Sequence, residues 1–145
     1  MRAVLIIALF LVFGMTVVHG RAIAEPLGDA AQAGDVAKVQ ELIAAGSAVD
    51  QRDESKETPL IKAALARQAA VAAALIKAGA DIKARNDRGF TALHAAAYSG
   101  SVEIATMLLD HGMAVDDHAE RNITPLHVAA EENHCLLYTS PSPRD

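Results

Sequence analysis

The sequence predicts an all-α solenoid of helix–turn–helix units joined by extended hairpin loops, with three units complete and a fourth represented by its first helix. Three observations carry this. Thr58-Pro-Leu-Ile-Lys-Ala-Ala64, Thr91-Ala-Leu-His-Ala-Ala-Ala97 and Thr124-Pro-Leu-His-Val-Ala-Ala130 recur at a spacing of 33 residues. Gly46, Gly79 and Gly112 keep the same spacing. Each of these glycines closes an apolar run of helical length: Val39-Gln-Glu-Leu-Ile43, Val71-Ala-Ala-Ala-Leu-Ile76 and Ile104-Ala-Thr-Met-Leu-Leu109. A unit this small cannot bury its own apolar face, so it must stack on copies of itself.

The first segment, Met1–Ala24, reads as a secretory signal. Arg2 gives a positive start, Ala3–Val18 is uncharged and rich in Leu, Ile, Val and Phe, and Ala22-Ile23-Ala24 puts small residues where cleavage requires them. Cleavage is expected after Ala24, which makes the protein periplasmic or secreted. If the signal is retained, Ala3–Gly20 touches the lower length limit of a spanning helix, and only then is a membrane expected as a partner. No Cys follows the apolar run, so lipoprotein-type attachment is not expected.

The repeat domain then occupies 25–134, in units 25–57, 58–90, 91–123 and a short 124–134. The first unit opens on Glu25-Pro-Leu-Gly-Asp-Ala-Ala31, which keeps the Pro, the Leu and both Ala. Thr58-Pro59 and Thr124-Pro125 start helices because Thr caps the free N–H groups and Pro suits the first helical position. Thr91 takes the same place in the third unit. Paired alanines let two helices approach closely. Gly34 and Gly100, with Asn133 equivalent, sit where each first helix ends and a positive φ is wanted; Arg67 is the mismatch. A second helix follows, closed by Gly46, Gly79 or Gly112. Polar stretches such as 81–89 then run out as loops, each pinned by an apolar residue: Val49, Ile82 or Val115.

The last segment, Cys135–Asp145, breaks the pattern without transition and resembles the translation of a transposase-type sequencing adapter. It is expected to be foreign, like a cloning scar. The fourth unit then stops where its second helix should begin. That leaves Leu108, Leu109 and Leu126 expected to be poorly covered, and the chain marginally stable and prone to associate.

Composition narrows the function. Of 145 residues, 13 are basic and 18 acidic, for a net charge of −5. Removing the two ends makes the chain more acidic still, since Arg2, Arg21 and Arg144 lie there but only one acid, Asp145. An acidic chain without a basic stripe argues against nucleic-acid binding, which depends on neutralising phosphates. The single Cys lies in the tail, so disulfide scaffolds, Cys-based zinc sites and thiol nucleophiles are not expected.

The Thr-Pro-Leu-His-x-Ala-Ala pattern near the start of each 33-residue unit resembles the ankyrin repeat across Glu25–His134. Departures are Gly28 and Ile61 at the motif His, Ala92 at the Pro, and Lys56 and Asn122 at the hairpin Gly. Asn tolerates positive φ, so Asn122 is mild, whereas Lys56 suggests a looser first hairpin. The resemblance implies a structural role for His94 and His127, ordering the turn by hydrogen bonding. Adjacent motif positions stack about 8–10 Å apart. Zinc ligands sit about 2.0–2.1 Å from the metal, so His94 and His127 are not expected to share one. His111 and His134 fall at family-typical loop positions. His118 lies on a variable hairpin.

No cofactor and no catalytic site are expected. Ser47, Ser55, Ser99 and Ser101 lack the G-x-S-x-G setting of a nucleophile elbow. Asp116-Asp117 and Glu131-Glu132 are adjacent pairs, which on a helix point about 100° apart, and read as solvated charge. There is no phosphate loop and no dinucleotide fingerprint.

What remains is a surface. Outside the two ends the aromatics are Phe90 and Tyr98. In an ankyrin-like unit they fall at the base of a hairpin finger and on the inner helix, both lining the concave face. Aromatic and Arg residues are enriched among interface anchors. The matching variable positions hold Arg52, Glu54, Ser55, Glu57 and Leu65; Arg85, Asp87, Arg88 and Ser99; and His118, Glu120, Arg121, Ile123, Glu131 and Glu132. The resemblance implies an exported, non-enzymatic module that is monomeric when full length and binds an unknown protein partner through its concave face and hairpin tips. Some bacterial ankyrin-like proteins with signals support periplasmic enzymes such as catalases, which is the narrower expectation. The alternatives are the targeting arm of a larger secreted effector or enzyme, and a membrane-tethered scaffold.

Overall fold

A computed structural model describes residues 26–132; the expected signal at 1–24, Glu25, Asn133, His134 and the expected foreign run 135–145 lie outside the described residues. The described residues form seven α-helices and no strand. They are α1 (Leu27–Ala33), α2 (Val36–Ala44), α3 (Pro59–Leu65), α4 (Ala69–Lys77), α5 (Ala92–Ser99), α6 (Val102–Asp110) and α7 (Pro125–Glu131), with a short 3-10 turn at Glu120–Asn122.

Helix starts follow the capping chemistry. The hydroxyls of Thr58 and Thr124 accept the N–H groups of Ile61 and His127, each at 3.3 Å, and Pro59 and Pro125 open their helices. Helix ends follow the glycines. Gly34 (φ 80°) and Gly100 (φ 72°) close α1 and α5 in the left-handed region. Arg67 is held at φ 60° after α3, where a side chain costs about 1–2 kcal/mol.

The first helices α1, α3, α5 and α7 pack side by side in one row, and α2, α4 and α6 form a second row against them. Alanines at the crossings, such as Ala63, Ala64, Ala96 and Ala97, are fully buried, which is what small residues there permit. Leu27, Leu60 and Leu93 repeat the same buried position, and each contributes about 1.5–3 kcal/mol by leaving water. Their fourth equivalent, Leu126, is 51% exposed.

Leu108 corrects the sequence expectation. It is fully buried, like its equivalents Leu42 and Leu75, because it lies on the stripe of α6 that faces the shared core with Ile104. Leu109 is half-buried and Leu126 exposed, as expected. Val49 and Ile82 pack on the core as loop pins, but Val115 is 47% exposed. Past Val115 the described residues hold the 3-10 turn and α7, with no second helix of that unit.

Candidate functional site

Three hairpins project beside the first-helix row. In the first, Asp53 N–H donates to the Glu57 carbonyl (3.2 Å) and Lys56 N–H to the Asp53 carbonyl (3.0 Å). The second repeats both bonds between Asn86, Gly89 and Phe90, at 3.0 Å each. The first hairpin is therefore no looser than the second, contrary to the reading of Lys56. Lys56 instead takes φ 58° and carries the strain, while the Asp53 carboxylate fixes the turn by accepting the Ser55 and Glu57 N–H groups at 2.9 Å. Asn86 Oδ1 does the same for Arg88 and Phe90. The third hairpin has Ala119 at this position, so no side chain braces it. There Arg121 joins Asn122 at positive φ, a departure larger than Asn122 alone implied.

The fingers are laced to one another. Asp87 N–H donates to the Ser55 carbonyl (3.1 Å) and Glu120 N–H to the Arg88 carbonyl (3.4 Å). Arg52 donates to the Arg85 carbonyl at 3.2 Å. Arg85 donates to the carbonyls of Gly89 (2.7 Å) and His118 (2.9 Å) and pairs with Asp117. Two expectations are corrected here. Arg85, placed among the partner-facing residues, has its guanidinium committed to the neighbouring hairpin. Asp117 is not free solvated charge on a helix but the ion partner of Arg85 in a turn.

Two clefts lie between fingers and inner helices, and a third lies between the second and third fingers. The first, about 500 Å³, is walled by Asp29, Asp53, Glu54, Glu57, Arg52 and Lys62. Lys62 Nζ bonds Asp53 at 2.9 Å and Asp29 at 3.5 Å. The bond to Asp53 raises the Lys62 pKa above its usual range despite burial. Burial pushes Asp53 up, but the Lys62 ammonium and the Glu57 and Ser55 amides outweigh it and hold the carboxyl below its usual range. The second cleft, about 240 Å³, brings Phe90 and Tyr98 together with Leu65, Ile61, Glu57 and Arg88. The third, about 310 Å³, is formed by Arg88, Phe90, Glu120, Arg121 and Ile123. Phe90 is half-buried and stacks on the His94 ring, centroids 5.2 Å apart and planes 3° from parallel. Tyr98 is 53% exposed.

Asp87 and the His118 side chain stand exposed on the finger tips, outside these three clefts. The Asp29–Lys62–Asp53 cluster was missed from sequence. Its signal was present, since Asp29 and Lys62 stand 33 residues apart and so occupy stacked positions on neighbouring inner helices. His94 behaves as the resemblance implied. Its Nδ1 lies 3.3 Å from the Thr91 nitrogen and 3.0 Å from the Thr91 hydroxyl, and Nε2 lies 3.1 Å from the Ile123 carbonyl.

Stacked helical pairs, an interlaced row of fingers and an open groove beside them define a helical repeat solenoid. The family model for ankyrin repeats matches residues 27–119 and 74–138, in three copies, and the chain belongs to that family. Ankyrin repeats are protein–protein interaction modules and typically non-catalytic. No curated protein matches the chain. Among the described residues, no helix is long and apolar enough to cross a membrane.

Proposed function

We propose that this chain is an exported ankyrin-repeat docking module that binds a protein, a periplasmic enzyme being the partner class, through its concave groove and finger tips. The observation that carries this is the convergence of Phe90, Tyr98 and Leu65 on one cleft rimmed by Glu57 and Arg88, neither of which has an ion pair among the described residues. Aromatic anchors in a pocket with a polar rim are the usual energetic centre of a protein interface. The signal-like segment Met1–Ala24 supports export.

A photo-crosslinking amino acid at Tyr98 tests the docking face, with Thr106 on the outer row as the control position. Adducts with a protein are expected from Tyr98 and not from Thr106. They should fall at least tenfold when Phe90→Ala is added, with helicity by circular dichroism unchanged. Equal adducts from both positions would reject the groove. Export is tested separately by the intact mass of the chain recovered from the periplasm, expected to begin at Glu25.

A further inference from the structure

The three clefts are not separate. The first and second share Glu57, and the second and third share Arg88 and Phe90, so they form one continuous groove crossing successive units. Its chemistry is ordered. In the first cleft Lys62 occupies Asp29 and Asp53, and Arg52 donates to the Arg85 carbonyl, while Glu54 and Glu57 have no ion pair among the described residues, so acids outnumber bases four to two. The middle has an apolar floor of Ile61, Leu65, Phe90 and Tyr98, with Leu65 37% and Tyr98 53% exposed, bounded by Glu57 on one side and Arg88 on the other. In the third cleft Arg88 and Arg121 flank Glu120, and neither arginine has an ion pair among the described residues. The balance of charge along the groove therefore runs from acidic, across an apolar floor, to basic where Arg88 and Arg121 outnumber Glu120.

Stacked units repeat at about the helix-packing distance of 8–10 Å. A polyproline II segment has three residues per turn and rises about 3.1 Å per residue, so every third side chain returns to one face after about 9 Å. The two repeats match. We propose that the groove binds an extended segment of a partner protein carrying a cation, a bulky apolar side chain and an anion at intervals of three residues. The cation docks on Glu54 and Glu57, the apolar group enters between Leu65, Phe90 and Tyr98, and the anion meets Arg88 and Arg121. This rests on the docking reading above and specifies what that face selects.

The test is fluorescence anisotropy of the full chain with fluorescein-labelled peptides on a Gly/Ser/Pro background. One pair carries arginine, leucine and glutamate three residues apart, in both chain directions. Controls carry arginine at both ends, glutamate at both ends, or serine for leucine. At least one mixed peptide is expected to bind tenfold or more tighter than every control. Glu54→Lys with Glu57→Lys should shift the preference to the peptide with glutamate at both ends. Arg88→Glu with Arg121→Glu should shift it to the peptide with arginine at both ends. Either charge pair serves if the other disturbs the fold. Same-sign peptides binding as well as mixed ones, or no effect of replacing leucine, would overturn the proposal. If no peptide binds while Tyr98 still crosslinks to a protein, the ordered-charge inference falls and the docking reading stands; if both fail, the docking reading falls as well.

Discussion

His94 concentrates the physics of the repeat in one side chain. A backbone N–H meets its Nδ1, so that nitrogen must accept and the proton sits on Nε2, where the Ile123 carbonyl receives it. Protonation would put a second hydrogen at Nδ1, against the Thr91 N–H. Burial pushes the imidazole pKa below its ordinary value of 6.5, although the Ile123 carbonyl pulls the other way. The unfolded chain therefore takes up the proton first as pH falls. This contribution to stability is full above about pH 6.5 and is lost as pH drops through that value toward the depressed folded pKa. Thermal melts from pH 7.5 to 5 should show Tm falling with acid. The variant His94→Ile, copying the buried Ile61 of the preceding unit, should flatten that slope. A slope equally steep in the variant would assign the acid sensitivity elsewhere.

At the scale of single elements, the turn after α3 is the weak point. Gly34 and Gly100 hold this position in the flanking units, but Arg67 holds it here at φ 60°. Arg67→Gly removes side-chain strain of about 1–2 kcal/mol, offset in part by the greater backbone freedom of glycine when unfolded. A net gain near 1 kcal/mol is expected, read as a higher urea midpoint at constant slope. A lower midpoint would show that Arg67 contributes contacts exceeding its strain. Helices and their ends were legible in the sequence because capping and left-handed turns are local chemistry written in Thr, Pro and Gly at fixed spacing. The solenoid was legible because the period is covalent. The lacing of the fingers was not. Arg85 reads as exposed charge until stacking brings His118 and Asp117, 33 and 32 residues on, within its reach. Lys62 was overlooked for the same reason. Its partners Asp29 and Asp53 belong to the unit before it, and only stacking brings their carboxylates to its ammonium.

Across the described residues, the stack buries its interior evenly up to α6, beyond which Val115, in the loop after α6, and Leu126, on α7, each present apolar surface. Exposed apolar patches of this kind promote association. Leu126→Lys with Val115→Lys should lower the concentration-dependent association of the full chain in sedimentation velocity, with little change in the unfolding midpoint, because neither residue is buried. Association unaffected by both charges would place the contact on another surface. Core positions should behave oppositely. In a one-dimensional stack each unit is supported by its neighbours, so Leu93→Ala, between α3 and α7, should cost about 2–5 kcal/mol and loosen both flanks together.

The Arg85 clamp bears on the kinetics of recognition. Loops that must be ordered on contact lose about 0.5–1.5 kcal/mol per immobilised side chain, and they slow encounter while the right shape is found. Here one guanidinium holds a finger to its neighbour before any partner arrives. The fingers act as a single stiff comb whose pitch is set in advance. In the docking mode proposed above, a partner would be sorted by whether its own spacing fits that pitch, and mismatched segments would leave quickly rather than being accommodated.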